Sequence, residues 1–148
     1  MKRKIMPTTC LLLALILMVI LHFAFPVMKL FNFPYNLSGL VPLAFGIYIN
    51  FRADKQMKKH NTPVNPFEES TELIIDGAFA ISRNPMYLGF SAILLGVFLL
   101  LSFLSTIIIV ILFPILISLF YIKSEEDKLA KCFGNKWNTY SRQTGRWL

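Results

Sequence analysis

Met86–Ile122, MYLGFSAILLGVFLLLSFLSTIIIVILFPILISLFYI, is a run of 37 residues without a charged side chain. As one straight helix it would reach about 55 Å, at 1.5 Å per residue. The hydrocarbon core of a bilayer is about 30 Å thick. The run therefore predicts a helical hairpin that turns near Ser102–Thr106, each arm about 17 residues long and just able to cross.

Upstream lie two more apolar stretches. Cys10–Met28, CLLLALILMVILHFAFPVM, is 19 residues long and carries no formally charged side chain, close to the ~20 that a spanning helix needs. Met1-Lys2-Arg3-Lys4 precedes it like a signal peptide's basic region, but no small-x-small cleavage pattern follows, so an uncleaved helix is expected. Leu37–Phe51, LSGLVPLAFGIYINF, is shorter. Its Gly39, Pro42 and Gly46 suit a membrane helix packed closely against another. Between Arg52 and Asn84 runs a polar connection too long for a passive link. Its Phe67, Leu73, Ile74, Ile75, Phe79 and Ile81 argue against disorder. After the hairpin, Ile122, Leu129, Phe133 and Trp137 recur at helical spacing and predict an amphipathic tail helix. The expected fold is all-α: a polytopic membrane protein of about four transmembrane helices, with a C-terminal helical hairpin and an amphipathic cytoplasmic tail helix.

Composition agrees. Of 148 residues, 55% are hydrophobic and 16% charged, against about 25% charged in a soluble domain. Disorder is excluded by that balance. Two cysteines, Cys10 and Cys132, exclude a disulfide framework and a Cys-rich zinc site, and no metal is expected. The net charge of +7 raises the question of nucleic acid. The basic residues flank apolar runs instead of interleaving with aromatics in a groove, so no nucleic-acid partner is expected. With four crossings, Lys29 is the one basic residue of 15 in a loop opposite the others. The positive-inside rule then makes both termini and the central connection cytoplasmic.

That face holds the residues able to do chemistry. In Ile81-Ser82-Arg83-Asn84-Pro85-Met86-Tyr87-Leu88-Gly89, Pro85 suits the first helical turn and Ser82 or Asn84 can cap it. The helix start favours an anion, and Arg83 adds a forked donor for a carboxylate or phosphate. Gly89 lets another group approach closely. Beyond the hairpin stand Ser124-Glu125-Glu126-Asp127. Glu126 falls on the apolar stripe, where a carboxylate needs a partner, and Glu125 flanks the same face. A hairpin returns both to Arg83 and Tyr87, making a site with a cationic and an anionic end. Such a site fits a zwitterionic cofactor with sugar hydroxyls. His60 reads as part of a basic juxtamembrane run. Neither cysteine reads as a nucleophile.

Thr71-x-Leu73…Gly77-x-Phe79-x-x-Ser82-Arg83-Asn84-Pro85-Met86-Tyr87-Leu88-Gly89, then Glu125-Glu126-x-x-Leu129…Phe133-Gly134…Tyr140…Arg146-Trp147, resembles the isoprenylcysteine carboxyl methyltransferase and phospholipid methyltransferase superfamily. The resemblance covers roughly Asn61 to the C-terminus. It implies one integral membrane methyltransferase domain, with two N-terminal spans in residues 1–60 and a cofactor-binding core in residues 61–148. It implies S-adenosylmethionine as cofactor, bound by Arg83, Asn84, Pro85, Tyr87, Gly89, Glu125 and Glu126, with Arg83 and Glu126 catalytic. Asn84 stands where the eukaryotic carboxyl methyltransferases have His. Thr62, Asn65 and Pro66 match the family's Thr-x-x-x-Pro approach more weakly. The implied substrate is lipophilic, an isoprenylcysteine-type carboxylate or similar, reached from the membrane lipids. Two other classes compete: an NADPH-dependent reductase of the steroid-reductase type, and a non-enzymatic membrane adaptor. Acceptor identity and oligomeric state stay open at this level.

Overall fold

A computed structural model describes residues 5–68 and 70–148. Among them the chain is helical, with one isolated antiparallel bridge, Lys29 to Phe103. Helix α1 spans Pro7–Ala24 and α2 Leu40–Lys59. A single turn, α3 (Ala78–Ile81), precedes α4 (Pro85–Leu101). Helix α5 (Ile107–Ile117) continues through a π turn, Ser118–Ile122, into α6 (Lys123–Phe133). A last helix, α7, covers Asn135–Gln143.

Local chemistry sets these bounds. Pro7 sits in the first turn of α1, where its missing N–H costs nothing. Phe25, preceding Pro26, leaves the helical region, so α1 lies a few residues earlier than Cys10–Met28. Helix α4 ends at Ser102, which takes a left-handed φ of 62° and donates its hydroxyl to the Leu99 carbonyl at 2.7 Å. The hairpin turn thus falls at Ser102–Thr106, as the apolar run requires. Two helices are long and apolar enough to cross a membrane, Pro7–Ala24 and the 30-residue rod Leu104–Phe133. Helix α4 is apolar but shorter, at 17 residues. The tail departs from expectation: Gly134, at φ 50°, breaks the single amphipathic helix into α6 and α7.

Helices α2 and α4 pack along their lengths because glycines face each other. A Cβ on Gly46 would lie 2.5 Å from the Gly89 carbonyl oxygen, and one on Gly96 2.7 Å from that of Gly39. The main core lies on the other side of α4. Tyr87, Phe90, Leu94 and Phe98 meet Met18 of α1 and Ile109, Phe113 and Ile117 of α5. Outward, Phe23, Phe51, Leu119 and Phe120 stay exposed, an apolar exterior of the kind a bilayer covers. The long connection after α2 is folded back onto it. Gln56 donates to the Asp76 carbonyl at 2.7 Å and accepts from the Ala78 N–H at 3.2 Å. His60 Nδ1 lies 2.9 Å from Glu72, so the histidine belongs to that loop's own pairing.

Candidate active site

The polar residues concentrate where α4 begins and the rod ends. Asn84 has φ −129°, outside the helix, and Pro85 starts α4. The Asn84 side chain makes no capping bond, contrary to expectation, and the Ser82 hydroxyl accepts only the N–H of Asn84 itself, at 3.0 Å. Both side chains also reach the C-terminal tail. The Ser82 hydroxyl and the Asn84 side-chain amide each donate to the Arg146 carbonyl at 3.1 Å. The Arg83 N–H donates to the Gly145 carbonyl at 3.0 Å. The motif is therefore clasped by the last residues of the chain.

The hairpin returns the acidic pair to the motif. Arg83 Nη1 lies 3.3 Å from Glu126 Oε1, with both side chains largely buried (15% and 12% exposed). Arg146 holds the same carboxylate with two atoms: Nε donates to Oε1 at 3.1 Å and Nη2 to Oε2. That bond raises the Arg146 pKa above its ordinary value. The Arg83 guanidinium also stacks over Trp137, 5.5 Å from the ring centroid. Tyr140 pins the neighbouring turn by donating to the Phe79 carbonyl at 2.6 Å. Burial pushes its phenol up to about 12. The other acid, Glu125, accepts the hydroxyl hydrogen of Tyr87.

Arg83, Asn84, Pro85, Tyr87 and Glu125 line one cavity of about 150 Å³. Its apolar walls include Val64, Pro66, Phe79, Met86 and Phe90, and the start of α1, Met6–Thr8, closes it on one side. A second cavity of about 430 Å³ shares Met57, Val64, Asn65, Pro66 and Glu125 with the first. It continues past Glu68, Lys128, Lys131 and Cys132. An apolar groove of about 710 Å³ runs between α1 and α5, lined by Leu13, Leu17, Ile109, Phe113 and Phe120. Tyr121 lines that groove, and its ring lies 6.5 Å from that of Tyr87.

Two expectations change. Glu126 is not a free anionic end, because two arginines already hold it; the acid facing the cavity is Glu125. Gly89 does not open α4 toward a ligand. Its open side is filled by α2, where the Asn50 side chain and the Gly46 carbonyl press against it. Sequence reasoning left Arg146, Trp137 and the start of α1 without roles. Arg146-Trp147 stood in the motif, but nothing in the spacing says that a tail 20 residues beyond Glu126 returns to it. Cys10 lies 3.4 Å from the Tyr121 hydroxyl and Cys132 is exposed. No group of three His, Cys, Asp or Glu among the described residues is placed to hold a metal.

The described residues are all-helical, with an arginine–glutamate cluster at one end of an apolar hairpin, an arrangement that suits a membrane protein. The chain belongs to the phospholipid methyltransferase family, whose model matches residues 35–136, more than half of its length. Membership in a methyltransferase family favours the transferase over the reductase and the adaptor. Searches of curated proteins and of solved structures returned no match.

Proposed function

We propose that the protein is an integral membrane methyltransferase that uses S-adenosylmethionine at the cytoplasmic face and methylates a lipophilic acceptor, an isoprenylcysteine-type carboxylate or similar. The observation that carries this reading is one cavity lined by a guanidinium and a carboxylate, Arg83 and Glu125, in a chain of this family.

The residues fit the cofactor's chemistry. Arg83 Nε is buried without a hydrogen-bond partner, a donor suited to a carboxylate. Glu125 offers an acceptor for an ammonium or for ribose hydroxyls, and the Tyr87 hydroxyl fixes its orientation. When bound, S-adenosylmethionine supplies an activated methyl group. The chain's part is then positioning and exclusion of water, the second supplied by Val64, Pro66, Phe79 and Phe90. A carboxylate acceptor is already ionised and needs no base. The apolar groove between α1 and α5 suits a hydrocarbon chain.

The four-crossing topology goes with this reading. Helices α1, α2, α4 and the α5 rod cross in turn, leaving Lys29 alone among the basic residues on the far side. A methyl-transfer screen tests the function, with tritiated donor, lipid extracts and prenylcysteine mimics. The wild type is expected to label a lipid-soluble product and Arg83→Ala to lose at least tenfold, the scale of a lost charge-assisted contact. No labelled product from the wild type in any extract would overturn it.

A further inference from the structure

Arg146 lies in the C-terminal tail, beyond the residues matched by the family model. Its guanidinium takes both oxygens of Glu126, whereas Arg83 reaches that carboxylate through Nη1 alone. One carboxylate thus stands between two guanidiniums, leaving a surplus positive charge. The Arg83 Nε stays buried and unpartnered while the residue lines the cavity. Without Arg146, Glu126 would be free to fork onto Arg83, the geometry this ion pair prefers. That would consume the donors the cavity needs.

The tail also braces Arg83 on both sides. Gly145 accepts from the Arg83 N–H, and the Arg146 carbonyl accepts from Ser82 and Asn84. We propose that Arg146 is a positioning residue: by occupying both oxygens of Glu126 it keeps the Nε edge of Arg83 free for the carboxylate of S-adenosylmethionine. This rests on the methyltransferase reading above. A plain staple holding the tail would bond the same atoms but would not discriminate between ligands.

The test compares S-adenosylmethionine with its decarboxylated analogue, which keeps the adenosine, sulfonium and ammonium. Equilibrium binding is measured on the full-length protein in nanodiscs. The wild type is expected to prefer the carboxylated ligand roughly tenfold or more, the scale of a charge-assisted hydrogen bond. Arg146→Ala is expected to remove that preference while binding the decarboxylated analogue within about twofold of wild type, since distant contacts stay additive. Arg146→Lys, which keeps the charge but not the fork, is expected to restore only part of it. It also carries the comparison should Arg146→Ala fail to fold. A preference unchanged in both variants, or an equal loss for both ligands, would overturn the proposal and leave a staple. Wild type that binds both equally would overturn it too, with the transferase reading intact. Wild type that binds neither would bring down the transferase reading itself.

Discussion

The two ends of α4 are held in different ways. At Ser102 the closure is made by backbone: the Leu30 N–H donates to the Ser102 carbonyl at 2.7 Å, and the Leu104 N–H to Met28 at 3.2 Å. At Pro85 the closure is made by side chains, with Arg83, Glu126 and Arg146 in one cluster and Tyr87 on Glu125 beside it. Backbone pairing is open to almost any sequence that can make the turn. Largely buried charges need specific partners, since desolvation penalises each one left alone. A cluster so demanding, at one end of a helix whose other end closes without it, supports the proposal that puts the methyltransferase site at that end.

Glu126→Gln should break the contrast most. It leaves Arg83 largely buried and without a counter-ion. The expected loss is ~2 kcal/mol of stability, discounted from the buried-pair range because Arg146 is 44% exposed. Affinity for S-adenosylmethionine should fall by at least tenfold with it. Thermal unfolding in detergent, with and without ligand, reads both, and Asp127→Asn, at an exposed position, serves as control. Equal small effects would mean that the two ends of α4 do not differ in kind.

Tyr87→Phe should do less. It removes one hydrogen bond to a carboxylate and keeps the ring in the core, so a several-fold weaker affinity is expected with ~1 kcal/mol of stability lost. Titration of the variant checks this, and an unchanged affinity would take Glu125 out of the site. At the opposite end, Ser102→Gly should do least. Relief of the left-handed φ and loss of the hydroxyl bond nearly cancel, leaving stability within ~0.5 kcal/mol. Ligand affinity should not move, and a change there would show the two ends to be coupled through α4.

Much of this is legible in the sequence alone. The hairpin turn follows from a length that no single crossing can hold. The pairing of Glu126 follows from a carboxylate set on an apolar stripe. Gly89 was legible only as a close approach, not as what approaches. Both a ligand and Asn50 would require the missing Cβ, and the packing of α2 decides for Asn50. The spacing predicts one continuous tail helix because helical periodicity passes over Gly134, whose positive φ turns α7 away.

The sequence by itself determined the elements, their apolar character, and the meeting of Arg83 with the acidic pair, since these rest on period, length and local chemistry. Only the tertiary structure decided which acid faces the cavity, what fills the space beside Gly89, and that Arg146 returns to Glu126. These depend on how separate helices and the chain's end come together in space, and no spacing along a chain encodes the direction in which a broken helix points.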